Sequence, residues 1–123
     1  MTPYELTVDR RDEIVVVELS GEVDASNVRD VRGELSEIVP TEVAGLMVDL
    51  AGVRYMDSAA VSMLFELIRS LETTRQRLAL VVPEPSPLRR LLEVTGLVDA
   101  AIVCATEAEC LSSLQEWVEG GFR

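Results

Sequence analysis

Lysine and histidine are both missing from the 123 residues, and all 11 basic side chains are arginine. Their absence removes the usual neutral-pH base, the commonest metal-binding imidazole, the Schiff-base amine and the phosphate-loop lysine. Most enzyme mechanisms go with them, so the expectation is a non-enzyme with no catalytic residue, no metal and no cofactor. Cysteine is scarce: Cys104 and Cys110 are too few for a disulfide framework and lack metal-site spacing, which leaves reduced, half-buried thiols. No apolar run approaches the ~20 residues of a membrane span. Residues 1–5 carry neither a basic segment nor an apolar signal core. A cytoplasmic protein without direct membrane insertion is expected. Positive charge is also short. With 22 acidic side chains the net charge is -11, which repels phosphate backbones and argues against nucleic acid as a partner.

What is present suits a folded protein. Hydrophobic residues at 48% and charged residues at 27% predict one domain over residues 1–123, with a buried core and no linker or repeat. Residues 4–9 alternate weakly as a first strand, and Arg10-Arg11-Asp12 reads as a polar turn. Residues 13–20 form a second strand, apolar on both faces at Ile14-Val15-Val16-Val17, which residues 21–24 break. Asp24 or Ser26 can cap a helix over residues 25–39, stopped by Pro40. A strand over 45–50, a loop over 51–57, a helix over 58–73 and a buried strand over 76–82 follow. Ser86-Pro87 opens another helix, Gly96 closes it, and a strand over 100–104 leads to a last helix capped by Thr106. Trp117 and Phe122 are expected to seal that helix onto the body. The order ββαβαβαβα predicts an α/β fold: a mixed, mainly parallel sheet with an N-terminal β-hairpin and about four helices. In such sheets sites lie at the carboxyl ends of strands, so residues 21–26 and 52–58 matter most.

Stepping about 100° per residue from Ser58 puts Val61, Leu64, Ile68 and Leu71 on the face toward the sheet. Ser58, Ser62, Glu66 and Arg69 fall on the solvent side. Met63 and Phe65 stand at the two margins of the apolar stripe, where either ordinary core edge or an exposed docking rim fits. Ser58 by itself reads as a helix cap worth about 1 kcal/mol. Asp57 after a central strand invites comparison with phosphate-receiver domains, but those need a lysine. A nucleophilic role for Ser58 needs a base that the chain does not have.

The segment Val48-Asp49-Leu50-Ala51-Gly52-Val53-Arg54-Tyr55-Met56-Asp57-Ser58-Ala59-Ala60-Val61 resembles the STAS domains, the family of bacterial anti-sigma factor antagonists. Upstream, Gly21-Glu22-Val23-Asp24 is similar to the family's Gly-Glu-aliphatic-Asp segment. One departure is Ala60, where the family commonly has glycine; alanine is the better helix former, so a stiffer helix start is expected. The resemblance implies a regulator that binds an anti-sigma factor with serine kinase activity and so releases a sigma factor. It implies Ser58 as the phosphorylation site, reset by a phosphatase acting on phospho-Ser58. Partner binding would involve Asp24, Asp57, Ser58, Ser62, Met63, Phe65, Glu66 and Arg69. The alternatives are a STAS subunit of a membrane transport complex docking on its ATPase, and a stress-sensing scaffold component.

Overall fold

The computed structural model describes residues 3–120. Two strands, β1 (Tyr4–Arg11) and β2 (Ile14–Val23), form the N-terminal hairpin, and helix α1 (Val28–Glu37) follows. Next come β3 (Gly45–Met56), α2 (Ser58–Thr73) and β4 (Arg77–Val81). The chain ends with α3 (Pro87–Val94), a 3-10 turn over Leu97–Asp99, β5 (Ile102–Cys104) and α4 (Glu107–Glu119). The five strands lie in sequence order across one sheet, with β1 antiparallel to β2 and every other pair parallel. The expected α/β fold with its hairpin and four helices is therefore the fold observed. Among the described residues no helix is long and apolar enough to cross a membrane.

Alternation along the strands divides the apolar residues between two layers. Val15, Val17, Leu46, Val48, Leu78 and Leu80 face one side, where they pack with Val31 and Leu35 of α1, the inner face of α2, and Leu88 and Leu92 of α3. Ile14, Val16, Met47, Ala79 and Val81 face the other side, which α4 covers with Cys110 and Leu114. The buried Cys110 thiol donates to the Leu80 carbonyl at 3.2 Å, and burial pushes its pKa up to about 12. Both cysteines are free, with Cys104 half-buried. Trp117 is half-buried on α4, whereas Phe122 lies outside the described residues.

Several boundaries differ from expectation, among them the end of α1 at Glu37 and the start of β5 at Ile102. The hairpin turn sits at Asp12 and Glu13 instead of residues 10–12, with Asp12 in the left-handed region (φ 55), which aspartate tolerates. Gly21 does not break β2. It holds a positive φ of 97 beside a register shift, and a Cβ there would stand 2.6 Å from the Pro3 carbonyl oxygen, so glycine lets the strand continue through a bulge. Because β2 continues, β3 stays paired with it as far as Val23 opposite Met56, and residues 51–56 are strand instead of loop. Gly52 belongs to that close approach, since a Cβ on it would lie 2.9 Å from the Ser20 Cβ. Helix α1 starts at Val28, after a turn over residues 25–27, and not at residue 25.

The carboxyl end of α2 closes in a Schellman arrangement: Gln76 N–H donates to the Leu71 carbonyl at 2.8 Å and Arg75 N–H to the Glu72 carbonyl at 3.1 Å. The residue after the cap, Arg75, has φ 57, where glycine is the usual occupant. Replacing it tests that conformational cost. Arg75→Gly should stabilise the fold by about 1 kcal/mol and raise the melting temperature by a few degrees, as read by thermal denaturation.

Candidate functional site

The parallel pairing of β2 and β3 brings their carboxyl ends side by side, so the turn after β2 and the start of α2 meet. Asp57 joins them. Its backbone N–H donates to the Val23 carbonyl at 3.3 Å. One carboxylate oxygen accepts from Ala60 N–H at 3.0 Å as the N-cap of α2, and the other accepts from Ala25 N–H at 3.0 Å across the gap. The capping residue is therefore Asp57, and Ser58 is the first helical residue, a correction to the reading of Ser58 as the cap. The Ser58 side chain is exposed, and its hydroxyl has no hydrogen-bond partner among the described residues. Ala60 is fully buried, so its methyl belongs to the core while its amide serves the cap.

A second set of contacts shapes the turn over residues 24–27. Asp24 accepts from the Ser26 backbone N–H at 2.9 Å and from its hydroxyl at 2.6 Å. Neither residue caps α1 from this position, because the helix begins beyond the turn. Asn27, only 1% exposed, donates its amide to the Glu22 carbonyl at 2.8 Å and accepts from Asp24 N–H at 3.0 Å. It therefore works as a buried staple that holds the turn against the end of β2. Sequence reasoning missed Asn27, although a polar residue three after an aspartate in a turn is a signal for such a bond.

The outer face of α2 is as the wheel placed it: Ser58, Ser62, Glu66 and Arg69 are exposed, and Val61, Leu64, Ile68 and Leu71 are buried. Met63 is not part of that surface. At 3% exposure it belongs to the main core cluster, which also holds Leu35 of α1 and Leu67 of α2. Phe65 is half-buried and packs against the core edge, which leaves it a limited rim contribution. The exposed aromatic at this end is Tyr55, 52% exposed on β3 next to an ion pair of Arg54 with Glu22 at 4.0 Å. Reading residues 51–56 as loop hid it; read as strand, their buried Val53 and Met56 leave Arg54 and Tyr55 facing outward.

On the α4 side of the sheet Glu18, Asp49 and Glu107 bring carboxylate oxygens within 4.8 Å of one another, a donor type suited to a hard divalent cation. A hydrogen bond with Asp49, then burial and the Asp49 charge, raise the Glu107 carboxyl above its ordinary value, against the opposing Arg11 at 3.7 Å. A carboxyl with a raised folded-state pKa lends stability that is complete below the unfolded value of about 4.3 and is lost as pH rises through the folded one.

Comparison with known proteins gives a consistent result. The model of the STAS domain family matches residues 5–110. An anti-sigma F factor antagonist of Lysinibacillus sphaericus is 30% identical over 109 residues, covering 88% of this chain and 92% of that one. Among solved structures, an anti-sigma factor antagonist from Mycobacterium paratuberculosis superposes with a TM-score of 0.82 at 22% identity, over 92% of this chain and 95% of that one. The anti-sigma factor antagonist SpoIIAA in its unphosphorylated form gives 0.66 at 25% identity, over 90% and 98%. A sulfate transporter family protein from Wolinella succinogenes shares the fold, with a TM-score of 0.75 at 17% identity over 90% and 92%.

Two outcomes follow from this geometry. Asp57→Ala should cost about 1–3 kcal/mol in denaturant unfolding, since it removes the helix cap and leaves the Ala25 amide without its acceptor. Glu107→Gln should melt higher than the parent at pH 7, and the difference should shrink toward zero as the pH falls to about 4.

Proposed function

The chain belongs to the STAS domain family, and from that premise we propose that it is an anti-sigma factor antagonist switched by phosphorylation of Ser58. The observation that carries the proposal is the division of labour at the start of α2. Asp57 supplies the cap, and the neighbouring hydroxyl is left exposed and without a partner among the described residues. In this reading the unmodified protein binds an anti-sigma factor that is a serine kinase, and a sigma factor is released. The kinase transfers phosphate to Ser58, the complex dissociates, and a phosphatase resets it. The protein itself performs no chemistry, in keeping with the lack of a histidine or lysine base. Its place of action is the cytoplasm, where sigma factors work.

Physical chemistry supports a local switch. Phosphate adds about -1.5 to -2 charges and three acceptor oxygens. At the first residue of α2 it meets the positive end of the helix and its first-turn amides, so the fold survives. The Asp57 carboxylate stands beside it, so the modified surface presents clustered negative charge that a docked partner must desolvate. Ser62, Glu66 and Arg69 continue the same exposed face, and Asp24, Tyr55 and the half-buried Phe65 border it. Met63 plays no part in docking because it is core.

Incubation with the candidate anti-sigma kinase and ATP should add one phosphate to the parent and to Ser62→Ala, and none to Ser58→Ala, as read by intact mass. A phosphate retained in Ser58→Ala sinks the site assignment. Ser58→Asp should weaken anti-sigma binding by about tenfold or more. Recovery of a transporter ATPase in place of a kinase in a pull-down would favour the transport-subunit reading.

A further inference from the structure

At the end of the sheet remote from Ser58, a cavity of about 250 Å³ opens between the carboxyl end of α2, the first residues of β4 and the last turn of α4. Ile68 and Leu78 supply its apolar side, Trp117 an aromatic wall, and Arg75, Arg77 and Glu72 its charged groups. Two observations set it apart from an ordinary surface dent. In a protein of net charge -11, two arginines line this cavity, and among the described residues neither guanidinium has an ion-pair or side-chain hydrogen-bond partner. In addition, Arg75 holds a left-handed backbone (φ 57) at a helix-terminating position that glycine fills at least strain, so the strain is retained together with a charged side chain at the cavity.

We propose that this cavity is a binding site for a small aromatic monocarboxylate. At about 250 Å³ the cavity lies at the small end of ligand pockets, which suits a single substituted ring. Indole and aliphatic walls suit a ring face, and guanidinium forks suit a carboxylate. Two arginines against one glutamate leave a local balance of one positive charge, which matches a monoanion and disfavours a dianion. The site is independent of the phosphorylation reading: eleven steps along β3, about 36 Å at ~3.3 Å each, separate Gly45, paired with Arg77, from Met56, two residues before Ser58.

Trp117 is the only tryptophan in the chain and lines the cavity, so its emission responds to a ligand that enters there. Titration with benzoate should change that emission saturably, and benzamide, the uncharged analogue, should bind about tenfold more weakly or worse. Arg77→Ala and Arg75→Gly should each weaken benzoate by about tenfold. Arg75→Gly should do so with its melting temperature unchanged or raised, which separates a lost contact from a lost fold. Ser58→Ala should bind benzoate as the parent does. A response that never saturates, equal binding of benzamide, or unaltered binding by Arg75→Gly would overturn the proposal. Inorganic phosphate competing as well as benzoate would overturn the aromatic assignment.

Discussion

Asp57 holds together two segments that are far apart in sequence, the start of α2 and the chain that leaves β2. One oxygen starts α2 at Ala60, the other anchors the turn at Ala25, and the Asp57 amide is tied to the end of β2 at Val23. A charged acceptor serving two amides makes bonds stronger than neutral pairs, and a half-buried setting lessens competition from water. Ser58 depends on this arrangement. With the cap supplied by its neighbour, the serine is relieved of the task its position suggested, and its hydroxyl points to solvent at the positive end of a sixteen-residue helix.

That carboxylate is in reach of Ala25 only because two strands run past the rest of the sheet. β4 ends at Val81 opposite Asp49, yet β3 continues to Met56 alongside β2. Register shifts and the positive φ of Gly21 let the pair twist without parting, and Gly52 allows the close crossing by Ser20. The β2–β3 ribbon therefore projects the 24–27 turn and the α2 start as one rigid tip. Asn27, buried within it, supplies both a donor and an acceptor to the backbone of that tip. A surface built this way presents a preformed shape to a partner, which lowers the ordering entropy lost on docking.

Helix α2 links this tip to the opposite end of the molecule. Its inner face is fixed in the core by Leu64 and Leu67, its outer face is polar, and its two ends are closed differently. The amino end has an acidic cap that suits the helix dipole. The carboxyl end has an arginine, also suited to the dipole, but placed in a backbone conformation that favours glycine. Charge complementarity at both ends thus coexists with conformational strain at one of them, and the strained end is where the arginine-lined cavity opens.

Local rules were enough wherever the determinants lie within a few residues of each other. The α2 span of 58–73, its buried and exposed sides, the Ser86-Pro87 start of α3 and the Thr106 cap of α4 all follow from side-chain period and capping chemistry, and the structure has them there. The order of strands and helices, and with it the mixed sheet, follows from alternation of the same kind. What could not be read locally rests on contacts between segments distant in sequence. Glycines 21 and 52 look like strand breakers until β2 and β3 lie side by side. Met63 looks like a rim residue until the folded core buries it, and Asp57 looks like one half of an Asp-Ser pair until Ala25 arrives within 3.0 Å of its second oxygen. The sequence by itself determined which side chains can cap, bury or carry charge, because those properties belong to single residues and their near neighbours. Only the tertiary structure decided that the capping Asp57 also anchors the turn after β2, because that second bond needs a backbone amide 32 positions away.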